Sequence, residues 1–578
     1  MCRPRDPDMD VSEAVVDRLA AAGIDTVFGI PGTQTLPLNE RLEARAEFRF
    51  VMARHETAVS HQAWGYAETS GRPAATVVVP GPGDMNAMNG LKNAYNDCTP
   101  VIHLAVETDP ERRGGDAIHE TPPETYDTVV KSNRLVERPA QTAAVLEEAI
   151  SVAETPPKGP VRVGIPKSFL SMDVPLVAGG GSERGCAGGG GERNRSRVPA
   201  GALERAAELL ADADEPVIVA GGGVRAAAAS DELRRVACQL GAPVVTTYNG
   251  KGVLPDGAGS AAGLVAGTLS GSAAPELLEA LATADGALAV GTDLDAVATR
   301  GWTVDLPDEL VHVTLEADDI ATGYEPAVGI VADATDALAA LEAALEERGL
   351  ETVAGPEADS GVETDTARER AAAVRRATSD RLEALRDESP PLTSVGALEA
   401  VREGVPADAI VTADAGGFRV WGLNVFDAAG PRSYVNPGSW ASMGTGLPSG
   451  IGAQCANPSG DVVVLTGDGG LMMCVHELHT AVAEDLPLTV VVFVNDDYAI
   501  ISDEAERNYG LAADVYGWPD APIDFEGLAA SFGMRTERAE TPAAIRSTLE
   551  SAVEADEPIL VAIPTDPNEP QASDWMAE

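Results

Sequence analysis

Short runs of apolar, mostly β-branched residues alternate with helix-like segments along the whole of this chain. Such runs occupy residues 76–79, 101–106, 216–220, 287–291, 462–465 and 488–494. Strands that are apolar on both faces and separated by helices are typical of parallel sheets covered by helices on each side. A chain of 578 residues has room for about three or four domains. The pattern therefore predicts an α/β fold of three tandem doubly wound parallel-sheet domains.

Two segments that lack these runs divide the chain into three blocks. Residues 178–197 are rich in glycine and charged residues, a composition that predicts a flexible linker. Residues 351–391 are acidic, carry a helical pattern in their second half and end at a Pro-Pro pair. The predicted domains are therefore an N-terminal one at 9–177, a central one at 198–350 and a C-terminal one at 392–578.

The charge balance of the chain is strongly acidic. The sequence has 91 Asp and Glu against 41 Lys and Arg, which gives a formal net charge of −50, and only five of the basic residues are lysines. This charge repels nucleic acid, so no nucleic-acid partner is expected. Molar salt shortens the Debye length to about 3 Å and relieves the self-repulsion of such a chain. The composition therefore predicts a salt-adapted, halophilic protein, with a basic partner as the alternative.

Membrane and export signals are not evident in the sequence. No stretch approaches the roughly 18 uninterrupted apolar residues of a membrane helix, and no apolar segment of a secretory signal follows the first residues. The six cysteines are scattered, without a Cys-x-x-Cys pair, which favours reduced thiols. We therefore expect no membrane association and a cytoplasmic location.

A glycine cluster in the central block is similar to a dinucleotide-binding turn. Residues 221–226 read Gly-Gly-Gly-Val-Arg-Ala after an apolar run, which fits the G-x-G-x-x-A pattern of a Rossmann-like domain. The next predicted strand ends in threonines and a tyrosine, not in the acidic residue that would hold a ribose. A nicotinamide cofactor is therefore not expected. A tight turn between strand and helix is the simpler interpretation, and the nucleotide part of another ligand stays open.

Carboxylate and amide side chains follow two apolar runs of the last block. Gly467-Asp468-Gly469 ends the first run, and Asn495 follows the second run, 27 positions after Asp468. Because neighbouring parallel strands end at one sheet edge, these side chains are expected to lie together. One carboxylate with neutral oxygen donors suits Mg²⁺ that also binds phosphate. Gly-Asp-Gly alone is an ordinary turn signal, and the spacing to Asn495 is what favours a metal site.

This spacing resembles the diphosphate motif of thiamine-diphosphate-dependent enzymes, most closely that of the acetolactate synthase large subunit and pyruvate oxidase-like group. Other motifs of the group occur in order over nearly the whole chain outside 178–197. They are Phe28-Gly29-Ile30-Pro31-Gly32, Arg54-His55-Glu56, Gly81-Pro82-Gly83-Asp84-Met85-Asn86, Asn93-Ala94-Tyr95-Asn96-Asp97, Gly164-Ile165-Pro166-Lys167, Ala413-Asp414-Ala415-Gly416 and Met443-Gly444-Thr445-Gly446-Leu447-Pro448. On these matches the chain is identified as a member of the group.

The resemblance implies a pyrimidine-binding N-terminal domain, a diphosphate-binding C-terminal domain and a set of site residues. Asp468, the Asn495 side chain and the Asp497 carbonyl oxygen would bind Mg²⁺. Glu56, held away from water, would hydrogen-bond N1′ of the aminopyrimidine and promote loss of the C2 proton. The other residues implied to contact thiamine diphosphate are Pro31, Gly32, Gly81, Asn86, Asp414, Gly416, Ala441, Met443, Gly467, Gly469, Gly470 and Tyr498.

The resemblance also implies a reaction and an assembly. The cofactor ylide attacks the carbonyl of a 2-oxo acid, CO₂ leaves, and the resulting enamine passes to an acceptor. In this family the two domains that share one cofactor belong to different subunits, which implies a homodimer or homotetramer. A regulatory subunit stays open.

Several positions near the acceptor depart from the acetolactate synthases. Pro80, Glu107 and Ile118-His119-Glu120 differ from the usual residues, and the Gln-Trp-Gln expected after Asn495 is missing. Acetolactate is therefore in doubt as the product. A non-oxidative 2-oxo acid decarboxylase that releases an aldehyde is the alternative, and a non-catalytic cofactor-binding homologue is an alternative of another class. His119 is a candidate acid or base, or equally a structural histidine.

The central block also departs from the FAD-binding synthases. Residues 291–295 lack their arginine, and residues 266–269 lack their Met-His pair. FAD is therefore not expected as a cofactor.

Overall fold

The computed structural model describes residues 9–115, 117–174, 198–257, 263–350 and 362–576. The predicted flexible linker at 178–197 lies outside these residues. The chain divides into two compact units, Met1–Arg195 and Ser196–Glu578. The first unit holds one six-stranded sheet and the second holds two, all of them parallel. The predicted α/β architecture of three parallel-sheet domains is thus confirmed.

The N-terminal domain alternates strands with helices. Its elements are β1 (Met9–Asp10), α1 (Val11–Ala21), β2 (Thr26–Gly29), α2 (Leu36–Glu43), β3 (Arg49–Met52), α3 (Glu56–Ser70), β4 (Ala74–Val78), α4 (Pro82–Asn96), β5 (Val101–Glu107), β6 (Ser132–Leu135), α5 (Thr142–Glu154), β7 (Val161–Pro166) and β8 (Asp173–Val174). The strand order is β3-β2-β4-β5-β7-β6, and β1 pairs separately with β8 in an antiparallel ribbon. Helix α3 is almost entirely buried, so its first residue, Glu56, is held on a fixed support.

The central domain has the same plan. Its elements are α6 (Ala200–Asp212), β9 (Pro216–Ala220), α7 (Gly222–Ala227), α8 (Ser230–Leu240), β10 (Val244–Thr247), β11 (Val265–Leu269), α9 (Pro275–Ala282), β12 (Gly286–Val290), β13 (Leu310–Thr314), β14 (Val328–Val331), α10 (Ala334–Glu346) and α11 (Val362–Arg381). The strand order is β11-β10-β9-β12-β13-β14.

The glycine cluster after β9 is explained by close packing of two turns. A Cβ at Gly221 would lie 2.3 Å from the Gly291 carbonyl oxygen, and one at Gly223 would lie 2.8 Å from Gly291 Cα. The Gly223 N–H donates to that same carbonyl oxygen at 2.8 Å. Glycines are needed here because the turns after β9 and β12 touch through their backbones. This supports the interpretation as a tight turn.

Part of the segment predicted as an acidic linker is an ordered helix on the central domain. Residues 351–361 lie outside the described residues, and α11 begins at Val362. Ala367 and Ala371 of α11 are fully buried. Arg370 donates to the Pro216 carbonyl oxygen at 2.9 Å, and Arg381 forms a 2.8 Å ion pair with Glu276. Apolar packing and arginine contacts therefore fix α11 against the central sheet and its helices.

The C-terminal domain completes the second unit. Its elements are α12 (Ser394–Gly404), β15 (Ile410–Ala413), α13 (Gly417–Val425), β16 (Tyr434–Val435), α14 (Gly446–Ala456), β17 (Val462–Gly467), α15 (Asp468–Cys474), α16 (Glu477–Ala483), β18 (Thr489–Val494), α17 (Ala499–Tyr509), α18 (Phe525–Ser531), β19 (Arg535–Arg538), α19 (Pro542–Val553), β20 (Ile559–Pro564) and α20 (Ala572–Trp575). The strand order is β16-β15-β17-β18-β20-β19. Among the described helices of the whole chain, none is long and apolar enough to cross a membrane.

Candidate active site

Four neighbouring strands of the C-terminal sheet, β15, β17, β18 and β20, end around one cavity of about 250 Å³. All four strand ends contribute to its wall. The lining residues are Ser394, Ala415, Gly416, Gly417, Phe418, Met443, Gly467, Asp468, Gly469, Gly470, Phe493, Asn495, Asp497, Tyr498, Ala499, Ile500, Ile501, Thr565, Glu569 and Gln571. The cavity thus lies at the carboxyl edge of the sheet, where parallel α/β folds bind ligands.

Asp468 is the buried charged group of this cavity. It begins α15 directly after β17, and its side chain is only 3% exposed. One carboxylate oxygen accepts the Gly469 N–H at 2.7 Å, and the other accepts the N–H groups of Asn495 at 3.0 Å and Asp496 at 2.7 Å. Burial raises the pKa of Asp468 to about 6, although these three N–H bonds oppose the rise. The bonds join the ends of β17 and β18, as the sequence spacing predicts.

The neutral donors of the predicted metal site lie beside this carboxylate. The Asn495 amide oxygen accepts the Asp497 N–H at 3.2 Å, and the Asp497 carboxylate accepts from the Ser502 hydroxyl at 2.6 Å. One Asp497 carboxylate oxygen is thus engaged, and the role of the Asp497 carbonyl stays a prediction. Asp468, Asn495 and Asp497 all line the cavity.

These residues fit a magnesium ion. Among the described residues, no Lys, Arg or His forms an ion pair with Asp468, so its buried charge has no cationic partner in this part of the fold. A carboxylate together with amide and carbonyl oxygens is the donor set that Mg²⁺ accepts alongside phosphate oxygens. The described residues hold no group of three or more His, Cys, Asp or Glu suited to a metal, so a metal here would depend on the neutral donors.

Glycines open the floor of the cavity. A Cβ at Gly469 would lie 2.4 Å from Tyr498 Cε1 and 3.5 Å from Met443 Cε, and one at Gly470 would lie 2.7 Å from an Asp414 carboxylate oxygen. Only glycine therefore fits at these two positions. The backbone amides of the Gly467–Gly470 turn can approach an anionic group closely for the same reason.

Two predicted cofactor residues of this domain do not line the cavity. Asp414 is fully buried beneath it and accepts five hydrogen bonds, from the N–H groups of Ala415, Gly444 and Thr445 and from the hydroxyls of Thr445 and Thr466. It therefore fastens the turn that carries Met443 to the ends of β15 and β17. Ala441 is exposed with a left-handed backbone, φ +45°.

The sequence analysis missed four polar residues of the lining: Ser394, Thr565, Glu569 and Gln571. The Glu569 carboxylate accepts from the Ser394 N–H and from the Ser394 hydroxyl, both at 2.5 Å. Burial raises the pKa of Glu569 to about 7, although both bonds from Ser394 oppose the rise. Ser394 and Glu569 are 175 positions apart and belong to no motif, so no local pattern could have brought them together.

The N-terminal domain gathers the other predicted residues around Glu56. The Glu56 carboxylate accepts from the Asn86 amide at 3.0 Å, and a Cβ at Gly83 would lie 3.2 Å from its other oxygen. His55 caps α3 by accepting the Thr57 N–H at 3.2 Å. Glu56 is only partly buried within one chain, so the expected enclosure from water is not provided by the N-terminal domain alone.

His119 and the two glycine turns lie next to this group. A Cβ at Gly32 would lie 2.2 Å from Val79 Cγ1, with Pro31 exposed beside it. Gly81 has φ +64°, and a Cβ there would lie 2.5 Å from the His119 carbonyl oxygen. The His119 ring nitrogen Nδ1 lies 3.4 Å from the Gln34 amide. The structure therefore brings Pro31, Gly32, Gly81 and His119 close to one another, and the assigned roles remain predictions.

Three parallel-sheet domains and a glycine-floored cavity with one buried carboxylate define the class of thiamine-diphosphate-dependent enzymes. Family comparison agrees over most of the chain. Residues 9–129, 203–341 and 414–563 match the N-terminal TPP binding domain, the central domain and the C-terminal TPP binding domain of thiamine pyrophosphate enzymes. The chain belongs to the thiamine pyrophosphate enzyme family, in its acetolactate synthase and pyruvate oxidase-like group. The predictions of this family and of an enzyme are confirmed.

Curated relatives align over nearly full length. A probable acetolactate synthase large subunit of Methanocaldococcus jannaschii is 29% identical over 573 residues, covering 97% of this chain and 93% of the relative. The acetolactate synthase isozyme 1 large subunit of Escherichia coli is 28% identical, covering 96% and 94%. A probable 2-ketoarginine decarboxylase of Pseudomonas aeruginosa is 32% identical, covering 91% and 88%. Relatives of this group thus include proteins named for two different reactions.

Proposed function

We propose that this chain is a Mg²⁺- and thiamine-diphosphate-dependent 2-oxo acid decarboxylase and carboligase, similar to the acetolactate synthases. The observation that carries the proposal is the cavity at the four strand ends, with Asp468, Asn495 and Asp497 on its wall. Bound thiamine diphosphate supplies the electron sink that accepts the bonding electrons when CO₂ leaves a 2-oxo acid.

The residues of the chain have separate tasks in this proposal. Asp468, Asn495 and the Asp497 carbonyl would hold Mg²⁺, and this cation would balance a diphosphate because no Lys or Arg occurs among the residues that line the cavity. Glu56 would hold a proton at the pyrimidine N1′ atom. Phe418 and Phe493 are buried apolar side chains of the lining, and a surface poor in water favours a step that loses charge.

A second candidate function is simple decarboxylation with release of an aldehyde. It is supported by the 32% identity to a relative named as a 2-ketoarginine decarboxylase. It is also supported by Ile500 and Ile501 on the cavity wall, in the region where the sequence lacks the Gln-Trp-Gln of the synthases. A non-catalytic homologue is the third candidate, and the retained Glu56, Asp468 and Asn495 argue against it.

The assembly and setting belong to the same proposal. We propose a homodimer or homotetramer in which Glu56 of one subunit acts on the cofactor whose diphosphate another subunit binds. The names of several relatives, which are large subunits, favour a smaller regulatory subunit as a further partner. The net charge of −50 supports a salt-rich cytoplasm as the setting. FAD is not part of the proposal, because the residues at 266–269 and 291–295 differ from those of the FAD-binding synthases.

A panel of 2-oxo acids tests these functions. Purified protein in molar KCl with Mg²⁺ and thiamine diphosphate is given pyruvate, 2-oxobutyrate, benzoylformate or 2-ketoarginine, and both CO₂ and the organic product are measured. Acetolactate from pyruvate supports carboligation, and an aldehyde from any acid supports the second candidate. Glu56→Gln is the control for activity that does not depend on the proposed site, since it should keep the fold but slow C2 proton exchange. If no acid loses CO₂ and the C2 proton of bound cofactor does not exchange, the proposed decarboxylation and carboligation are both wrong.

A further inference from the structure

A buried polar cluster lies beside the Glu56 site, and none of its five residues is among those implied to contact the cofactor. We call the five residues Thr76, Asp84, His103, Glu107 and Arg162 the Arg162 cluster. Each of them is at most 5% exposed. They come from α4 and from three strands, β4, β5 and β7, so they join elements that are distant in sequence.

The hydrogen bonds of the Arg162 cluster form one continuous chain. Thr76 Oγ1 lies 2.6 Å from His103 Nδ1, and His103 Nε2 lies 3.0 Å from one oxygen of Asp84. The other oxygen of Asp84 accepts from Arg162 Nε at 3.0 Å and from Arg162 Nη2 at 2.5 Å. The same Nη2 also donates to Glu107. Arg162 is therefore the link between the start of α4 and the end of β5.

Two further contacts fix the guanidinium of Arg162 in place. Its Nη1 donates to the Asn133 side-chain oxygen at 3.1 Å, and its Cζ lies 4.1 Å from the centre of the Tyr126 ring. The planar guanidinium is held by the Asn133 oxygen and the Tyr126 ring. Because its orientation is already fixed, Arg162 loses little side-chain entropy when it binds the two carboxylates.

Gly164 leaves space for the contact between Glu107 and Arg162. A Cβ at Gly164 would lie 2.7 Å from Glu107 Cγ and 3.2 Å from Arg162 Nη1. The Gly-Ile-Pro-Lys motif at 164–167 thus has a physical reason in this chain that does not involve the cofactor: its glycine admits the contact between Arg162 and Glu107.

The two carboxylates of the cluster, Asp84 and Glu107, have pKa values shifted in opposite directions. Burial alone would raise the pKa of Asp84, but the bonds from His103 and the charge of Arg162 outweigh burial and lower the pKa. Burial raises the pKa of Glu107, and Arg162 offsets the rise only in part. The strong ion pair of the cluster is therefore Asp84 with Arg162. Removing Arg162 alone would take the neutralising cation away from two buried carboxylates, Asp84, which keeps only its contact with His103, and Glu107. Removing all these charges together would leave no such buried charge.

The position of Asp84 connects the cluster to Glu56. Asp84 is buried in the first turn of α4. Its neighbour Asn86 donates to Glu56, and a Cβ added at Gly83 would lie 3.2 Å from the other Glu56 oxygen. Glu107 ends β5 and leads into the loop that carries His119, whose backbone rests on Gly81. Arg162 thus ties the first turn of α4, next to Glu56, to the end of β5.

We propose that Arg162 is a positioning residue for Glu56, acting through Asp84 and Glu107. By holding the first turn of α4 on the sheet, the Arg162 cluster keeps the Asn86 amide in hydrogen-bonding distance of the Glu56 carboxylate. This inference rests on the proposed function, in which Glu56 acts on the pyrimidine ring. A carboxylate misplaced by about 1 Å can lose on the order of 100-fold in rate.

Three variants separate positioning from stability. Arg162→Met removes the fork, takes the hydrogen bond from Arg162 away from Glu107 and leaves Asp84 with its contact to His103. The triple variant Asp84→Asn/Glu107→Gln/Arg162→Met keeps the shapes and removes every charge of the ion-paired part. Arg162→Lys keeps the charge but lacks the fork. The matched control is Arg72→Met, which breaks the Arg72–Asp25 ion pair and the contact of Arg72 with the Tyr66 ring at the opposite, amino edge of the same sheet.

The first measurement uses cofactor-free protein. Amide hydrogen exchange over residues 83–90 of α4 should be at least tenfold faster in the triple variant than in the wild type. The thermal unfolding midpoints of the two proteins should differ by only a few degrees. Arg72→Met should leave this segment unchanged. If the triple variant keeps wild-type protection of α4, the inference is wrong.

The second measurement is the exchange rate of the C2 proton on bound thiamine diphosphate. We expect the rate to fall at least tenfold in Arg162→Met and in the triple variant, to recover in part in Arg162→Lys, and to stay unchanged in Arg72→Met. Should Arg162→Met fail to fold, the triple variant and Arg162→Lys give the answer. Equal rates in all folded variants would refute the positioning role, whereas absence of exchange in the wild type itself would refute the proposed function instead.

Discussion

Replacing Glu569 with glutamine should remove a part of the pH dependence of stability. Glu569 lines the cavity and holds Ser394 through both carboxylate oxygens. Burial raises the pKa of its side chain from the ordinary 4.5 to about 7. Between these two values the folded chain keeps the Glu569 proton while the unfolded chain has lost it. The folded state is therefore stabilised by this group at low pH, and that stabilisation is lost as the pH rises toward 7.

The size of the effect follows from the two pKa values. One pKa unit corresponds to about 1.4 kcal/mol, so a group that titrates at 4.5 when unfolded and near 7 when folded contributes at most roughly 2 to 3 kcal/mol between pH 5 and pH 8. Glu569 is partly open to the cavity, and solvent reduces this to about 1 to 2 kcal/mol. For a domain of this size that difference shifts the thermal midpoint by roughly 2 to 8 °C.

Thermal unfolding of wild type and Glu569→Gln from pH 5 to pH 8, at constant KCl, checks this prediction. The difference in midpoint between the two proteins should be small at pH 5 and should grow in favour of Glu569→Gln toward pH 8. Comparing the two proteins cancels the other groups that titrate in this window. Glu550→Gln, an exposed change on α19 of the same domain, is the control and should follow the wild type. Parallel curves for wild type and Glu569→Gln would refute the reasoning.

Four other outcomes are expected. Glu56→Gln should keep cofactor affinity but slow C2 proton exchange by roughly 100- to 10,000-fold; an unchanged rate measured by NMR would contradict its role. Asp468→Ala should abolish the Mg²⁺ dependence of thiamine diphosphate binding in titration calorimetry, and retained tight binding would count against the metal site. Asp414→Asn replaces a carboxylate that accepts five hydrogen bonds, so urea unfolding should show a loss of roughly 2 to 4 kcal/mol; no loss would remove its structural role. Raising KCl from 0.1 to 3 M should raise the thermal midpoint, since a net charge of −50 is screened, and an equal rise with a non-ionic osmolyte would argue against charge screening.

Local patterns in the sequence account for the sheets and for one part of the site. The apolar runs at 216–220 and 488–494 coincide, within a residue or so, with β9 and β18, because a strand buried on both faces must be continuously apolar. Asp468 and Asn495 meet for the same local reason, since each immediately follows one of two adjacent strands.

Contacts between distant segments were decided only by the tertiary structure. Ser394 and Glu569 meet across 175 positions, and Asp84 and Arg162 across 78. Asp414 belongs to a recognisable motif, yet only the structure shows it beneath the cavity, where it joins the turn that carries Met443 to the ends of β15 and β17. A strand or a turn is specified by neighbours in the chain, whereas the partner of a buried charge depends on which strands become adjacent and on where a glycine such as Gly164 leaves space.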